Sequence, residues 1–215
     1  MRLRAALATA VIVPLACTRG STSEPHENAF LSSSSQVPPR ASPAAPCVAR
    51  LRRIFVEGDL SGGEGLSPGC RRIDVEEALG PASELGVGSL SYRYLRRANY
   101  RLPGQPHPVE VWYEGDDPSS PVVLADQWRP QLRGDLSALL QALGEPDGEL
   151  PPAGPDARVQ RVYAARGFTL YVGEFGQPRV ADEPVVRLRV YAPTTVAAYM
   201  KELGGGDAPS SPFPR

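Results

Sequence analysis

Histidine and lysine are almost missing from this 215-residue chain: His26 and His107 are its two imidazoles, and Lys201 is the single lysine among 23 basic residues. So few imidazoles leave no basis for a histidine-built metal site, and no Gly-x-x-x-x-Gly-Lys-Ser/Thr loop is present to cradle a nucleotide. No charge of one sign predominates, the formal net charge being -1, so nothing global attracts nucleic acid. A Ser-His-Asp hydrolase would have to use His107, which sits in the turn Pro106-His107-Pro108, and no Gly-x-Ser-x-Gly elbow accompanies it. The acidic pairs Asp116-Asp117 and Asp182-Glu183 are adjacent in turns, a spacing that does not oppose two carboxyls across a cleft. The expectation is a protein that is not an enzyme and holds neither metal nor cofactor.

What is present begins with an address. Arg2 and Arg4 precede an apolar run, Ala5 to Ala16, too short to span a bilayer, which is the layout of an export signal over residues 1–16. The run ends in Pro14-Leu15-Ala16-Cys17, which resembles the lipobox of bacterial lipoproteins, with Pro14 where that motif usually carries leucine. The resemblance implies a lipid on Cys17 and a membrane anchor in the bacterial cell envelope, facing periplasm or exterior; an unlipidated secreted protein is the alternative. Residues 17–46 are rich in Ser, Pro and Ala and read as a disordered tether whose coil spans roughly 30 Å. With Cys17 lipidated or removed, Cys47 and Cys70 remain as a pair, and in an oxidising compartment a disulfide is expected. Between them Leu60-Ser61-Gly62-Gly63-Glu64 looks like the signature peptide of ABC-type ATPases, but without a phosphate loop it is read as a flexible surface loop within 59–69.

The middle of the chain reads as α+β in two tandem units, 47–130 and 131–204, each a short helix followed by an antiparallel hairpin, forming one antiparallel sheet or two small sheets packed by the helices. In the first unit Asp74 caps a helix stopped at Gly80-Pro81. Strands over 90–95 and 100–102 are expected to turn at Arg97-Ala98-Asn99, placing Leu90, Tyr92, Tyr94, Tyr100 and Leu102 on one face, before strands at 108–114 and 122–124. In the second unit Asp135 caps a helix ending Leu143-Gly144-Glu145-Pro146, and 148–156 is expected to be loop. Strands 158–163 and 168–172 meet at Ala164-Ala165-Arg166-Gly167, a strand 185–191 follows, and a final helix opens at Pro193-Thr194 and runs through Leu203. The tail 205–215 is expected to be disordered. Ala78-Leu79-Gly80 matches Ala142-Leu143-Gly144, as Tyr100 and Leu102 match Phe168 and Leu170.

With Leu143-Gly144-Glu145-Pro146 as its one motif-like part, this layout is similar in outline to the SmpA/OmlA (BamE-like) outer-membrane lipoprotein domain and to the tandem-repeat β-lactamase inhibitory proteins. The resemblance implies a non-catalytic scaffold that binds other proteins. The strand faces supply a candidate partner surface. If Val109, Val111 and Tyr113 with Val186, Leu188 and Val190 face the helices, the opposite face carries Glu110, Trp112, Glu114, Arg187, Arg189 and Tyr191, joined by Arg93 and Arg101. Tryptophan, tyrosine and arginine dominate interface hot spots, so Trp112 is the expected anchor for an unknown envelope protein; a cross-strand charge ladder is the plainer account of the same residues. The reading is a cell-envelope lipoprotein with a binding or scaffolding role, the alternatives being a secreted enzyme inhibitor and a hydrolase with an unrecognised site.

Overall fold

A computed structural model describes residues 44–151, 159–173 and 185–203. The expected export signal, Cys17, most of the tether, the Asp182-Glu183 pair and the tail lie outside the described residues. The fold is α+β, one eight-stranded antiparallel sheet with four α-helices. Helix α1, Ala44–Leu51, continues into a π-helical turn, Arg52–Val56, and α2 is Arg72–Leu79. Strands β1 (Glu84–Leu90), β2 (Arg93–Tyr100), β3 (Val109–Tyr113) and β4 (Val122–Trp128) follow. After α3, Leu136–Leu143, come β5 (Gly148–Leu150), β6 (Val159–Tyr163), β7 (Phe168–Val172) and β8 (Val185–Tyr191), and α4 is Val196–Glu202. The strand order is β1-β2-β3-β4-β8-β7-β6-β5, so two four-strand meanders share one sheet through the β4–β8 pair.

The two faces differ. On the first, Cys47, Val48, Leu51, Ile54 and Phe55 form one helical stripe that packs with α2 and α3 residues over Ala98, Tyr100, Val109, Val111, Tyr113, Leu170, Leu188 and Val190. The Cys47–Cys70 disulfide is present, Cα atoms 5.6 Å apart, and ties α1 to the segment entering α2. The buried Tyr100 and Tyr113 hydroxyls share a 2.7 Å hydrogen bond, and burial raises both phenols above their ordinary range. The second face carries α4, whose Tyr199 packs with Leu203, Tyr191, Val162, Leu124 and Trp112 in a smaller cluster.

Several expected details are corrected. Asp74 is not the cap of α2: the helix starts two residues earlier, and its buried carboxylate accepts the backbone N–H of Arg71 at 2.8 Å. Arg97-Ala98-Asn99 is strand, not turn, because Asn99 spends its side chain on Glu84 (2.9 Å) in the neighbouring β1. The turn is Ser91-Tyr92, so Tyr92 is not on a strand face and Tyr94 does not join the core. Gly148–Leu150 is strand rather than loop. The 59–69 segment is a loop with Ser61, Gly62, Glu64, Pro68 and Gly69 exposed, but it is anchored rather than free: Leu60 and Leu66 are buried, and Gly65 and Leu66 donate to the carbonyls of Arg166 (2.6 Å) and Tyr191 (2.9 Å). Ala44 to Pro46, expected in the tether, begin α1. By contrast, α3 follows the Asp135 cap, which accepts Ser137 N–H at 3.1 Å, and ends at Gly144 with φ +71°. Gly167 makes the β6–β7 connection at φ +85°.

Candidate functional site

Alternation in β3 and β8 puts Glu110, Trp112, Arg187, Arg189 and Tyr191 on the second face, as expected, but that face is largely closed. Trp112 is 8% exposed, and Arg187, Arg189 and Tyr191 are buried with it. The reason is α4. It returns over the face, and the guanidinium of Arg189 donates to the carbonyl of Leu203 at its end. Beneath it Asp126 in β4 lies across from Arg189 in β8, accepting from Arg189 Nε at 3.0 Å and Nη2 at 3.1 Å and from Arg187. Burial alone would push the Asp126 carboxyl up, but the two arginines together outweigh it and hold the group below its ordinary value. Arg187 also lies over the rings of Trp128 and Tyr171, at 5.1 and 5.2 Å. Tyr199 donates to Gln160 at 2.9 Å and meets the Tyr171 hydroxyl at 3.1 Å. Asp126 and the two guanidinium groups neutralise one another, although the Arg187 Nε is buried without a partner, and through Leu203 the cluster fastens α4 to the sheet. It does not supply an open binding surface.

The remaining expected residues spread outward from it. Glu110 is half-buried; burial raises its pKa, opposed by Arg97 at 3.2 Å. Its carboxylate accepts the indole N–H of Trp112 at 2.9 Å. Glu114 is exposed and pairs with Arg93 at 3.3 Å, and Arg101 is exposed past the end of β2. His107 lies half-buried in the β2–β3 loop, with neither a serine nor an acid bonded to it among the described residues.

The exposed apolar surface lies elsewhere, on the β1–β2 hairpin. Leu85 and Val87 are 62% and 54% exposed, and Tyr94 and Tyr92 are 84% and 97% exposed. The register Leu85↔Ala98, Val87↔Arg96 and Ser89↔Tyr94 puts Leu85, Val87 and Tyr94 on the first face, beyond the reach of the helices. Ser91 and Tyr92 have φ of +47° and +65°, the left-handed pair of a two-residue hairpin turn normally supplied by Asn-Gly or Gly-Gly. For a bulky tyrosine such a backbone is strained, and strain of this kind gathers at functional contacts. β1 forms one edge of the sheet and contains neither lysine nor proline to blunt it. Sequence reasoning misses this surface because it groups Tyr92 and Tyr94 with Leu90, Tyr100 and Leu102 on one strand face; the remaining signal is a β1 segment, Glu-Leu-Gly-Val-Gly-Ser-Leu, with apolar residues but no partner helix.

No family model and no curated protein matches the chain. Among solved structures, a DUF4309 family protein (YjgB) from Bacillus subtilis aligns over 70% of this chain and 98% of its own at 14% identity, with a TM-score of 0.37. A likeness of that size carries no argument about fold or function.

Proposed function

We propose that this chain is an exported cell-envelope lipoprotein, tethered through lipid on Cys17, whose folded part is a non-catalytic module that holds another protein at the β1–β2 hairpin. The observation that carries the reading is the hairpin itself: two exposed tyrosines, one on a strained turn, beside Leu85 and Val87 on an unblunted sheet edge. The Cys47–Cys70 disulfide supports an oxidising compartment and therefore export. A tandem origin for the two halves is part of the proposal, supported by a helix leading each four-strand meander. A secreted, unlipidated inhibitor is the second reading, favoured by the same projecting tyrosine, which suits insertion into a cleft.

Mass spectrometry of the mature N-terminus separates the two: a triacylated Cys17 supports the tether, and an unmodified N-terminus elsewhere removes it. The binding claim is tested by a photo-reactive residue at position 92 in intact cells. A defined crosslinked species is expected from that position and none from position 112, where the side chain is covered. Loss of Tyr92 and Tyr94 to serine should weaken the identified complex about tenfold or more, and unchanged affinity would count against the hairpin.

A further inference from the structure

We infer that the occupant of the β1 edge is a second copy of this chain, joined as an antiparallel β1–β1 pair about a twofold axis at Val87; this rests on the hairpin being the contact surface. A two-residue hairpin is closed by a pair that exchanges hydrogen bonds, here Leu90 and Arg93. Alternate residues of β1 therefore bond inward to β2, and Leu85, Val87 and Ser89 direct their N–H and C=O groups out at the edge. An isologous pair needs a segment that complements its own inverse, and Glu84–Leu90 does so about Val87. On the first face Val87 meets Val87 of the second copy, and Leu85 meets Ser89 of the second copy, whose neighbour within its own sheet is the exposed Tyr94.

The second face is equally matched. Trp112 reaches across Gly88 so closely that a Cβ there would lie 2.5 Å from its ring, and the Arg97 guanidinium lies beside Gly86, 3.7 Å from where a Cβ would be. Pairing about Val87 sets Gly88 opposite Gly86 of the second copy. Neither glycine puts a side chain of its own into the seam on this face, and each Arg97 stays paired with its own Glu110 at 3.2 Å. Glu84 falls opposite Leu90 of the second copy, next to that copy's Arg93, so opposite charges meet at both ends. Arg96, which flanks Val87, is already held by its own Asp116 at 2.5 Å, so the axis does not bring bare like charges together. Leu85, Val87, Tyr92 and Tyr94 together expose on the order of 600 Å² per copy, an upper bound on what these side chains can bury, against the roughly 800 Å² per partner of a standard interface. The other sheet edge, β5, has three residues and offers far less to pair with.

The test is site-directed disulfide formation in the full exported chain. Facing Cα atoms at a hydrogen-bonded antiparallel pair lie about 5.5 Å apart, within disulfide reach. Val87→Cys should give a covalent dimer on a non-reducing gel. Leu85→Cys and Ser89→Cys should each remain monomeric alone and give a dimer when co-expressed. Val87→Lys, which places a charge on the axis, should sediment as a monomer with an unchanged circular dichroism spectrum, where the parent chain sediments as a dimer. A folded Val87→Cys protein that does not link to itself overturns the inference. If in that case a photo-reactive residue at 92 still captures a different protein, the hairpin reading survives without the dimer; if it captures nothing, both fall.

Discussion

Single residues decide three features of this molecule. Asp126 is the carboxylate that bonds both buried guanidinium groups, and its removal would leave Arg187 and Arg189 without the acceptor that they share. Asp126→Ala is expected to cost about 3–5 kcal/mol in urea-induced unfolding at neutral pH. The pH dependence follows in sign. The folded carboxyl titrates below its unfolded value, so its contribution is full above the ordinary aspartate range near 3.9 and is lost as pH falls through the lower folded value. Acid unfolding of the parent chain should therefore show a stability loss below about pH 4 that is smaller in the Asp126→Ala protein, where Asp59 and Asp117 still titrate below their ordinary value. At Gly65 the constraint is steric: a Cβ would lie 2.1 Å from the Gly167 carbonyl oxygen and 2.5 Å from that of Tyr191. Both obstacles are backbone, so Gly65→Ala should destabilise by about 1–3 kcal/mol as overpacking does, read as a lowered denaturation midpoint. Tyr92 works in the opposite direction. Its left-handed backbone costs about 1–2 kcal/mol, so the pair Ser91→Asn and Tyr92→Gly should raise thermal stability while weakening the contact that the tyrosine makes. Higher stability with undiminished binding would separate the strain from the function.

Elements differ in how much of them a reader of the sequence could see. Helix α3 was legible because Asp135, the apolar stripe and Gly144 all agree, and β8 because Arg187–Tyr191 alternates between the two faces; a register shift at the start of β8 seats Val185, rather than the expected Val186, against the first-face core. The β6–β7 connection was legible through Gly167, which has to adopt positive φ. The β1–β2 hairpin was not, since its turn uses serine and tyrosine where the backbone favours asparagine and glycine, and since Asn99 offered a false turn. The helical stripe Cys47, Val48, Leu51, Ile54 and Phe55 is present in the sequence, but it abuts the Ser/Pro-rich tether and was not read as a helix. Alternation correctly sorted Trp112 and Arg189 to the second face. It carries no information about what covers that face, and α4 arrives from the far end of the chain. At this scale the disulfide is the test. It closes a loop of sequence separation 23 between α1 and α2, and replacing Cys47 and Cys70 by serine should cost about 3 kcal/mol on the chain-entropy account, measured by reversible unfolding.

For the whole molecule, the joined meanders leave two unlike edges. Among the described residues no helix is long and apolar enough to cross a membrane. The first face is filled by α1, α2 and α3 and the second by α4 with its buried ion cluster, so the sheet interior is committed to stability. Of the two sheet edges among the described residues β1 is the longer, with seven residues against three in β5. The central claim is that this edge is occupied, and amide hydrogen exchange resolved to single residues tests it directly. The outward amides of Leu85, Val87 and Ser89 should be protected in the intact protein at concentrations where it is associated, and should exchange rapidly at Leu85 and Ser89 in Val87→Lys. Fast exchange of all three in the parent chain at every concentration would contradict the account.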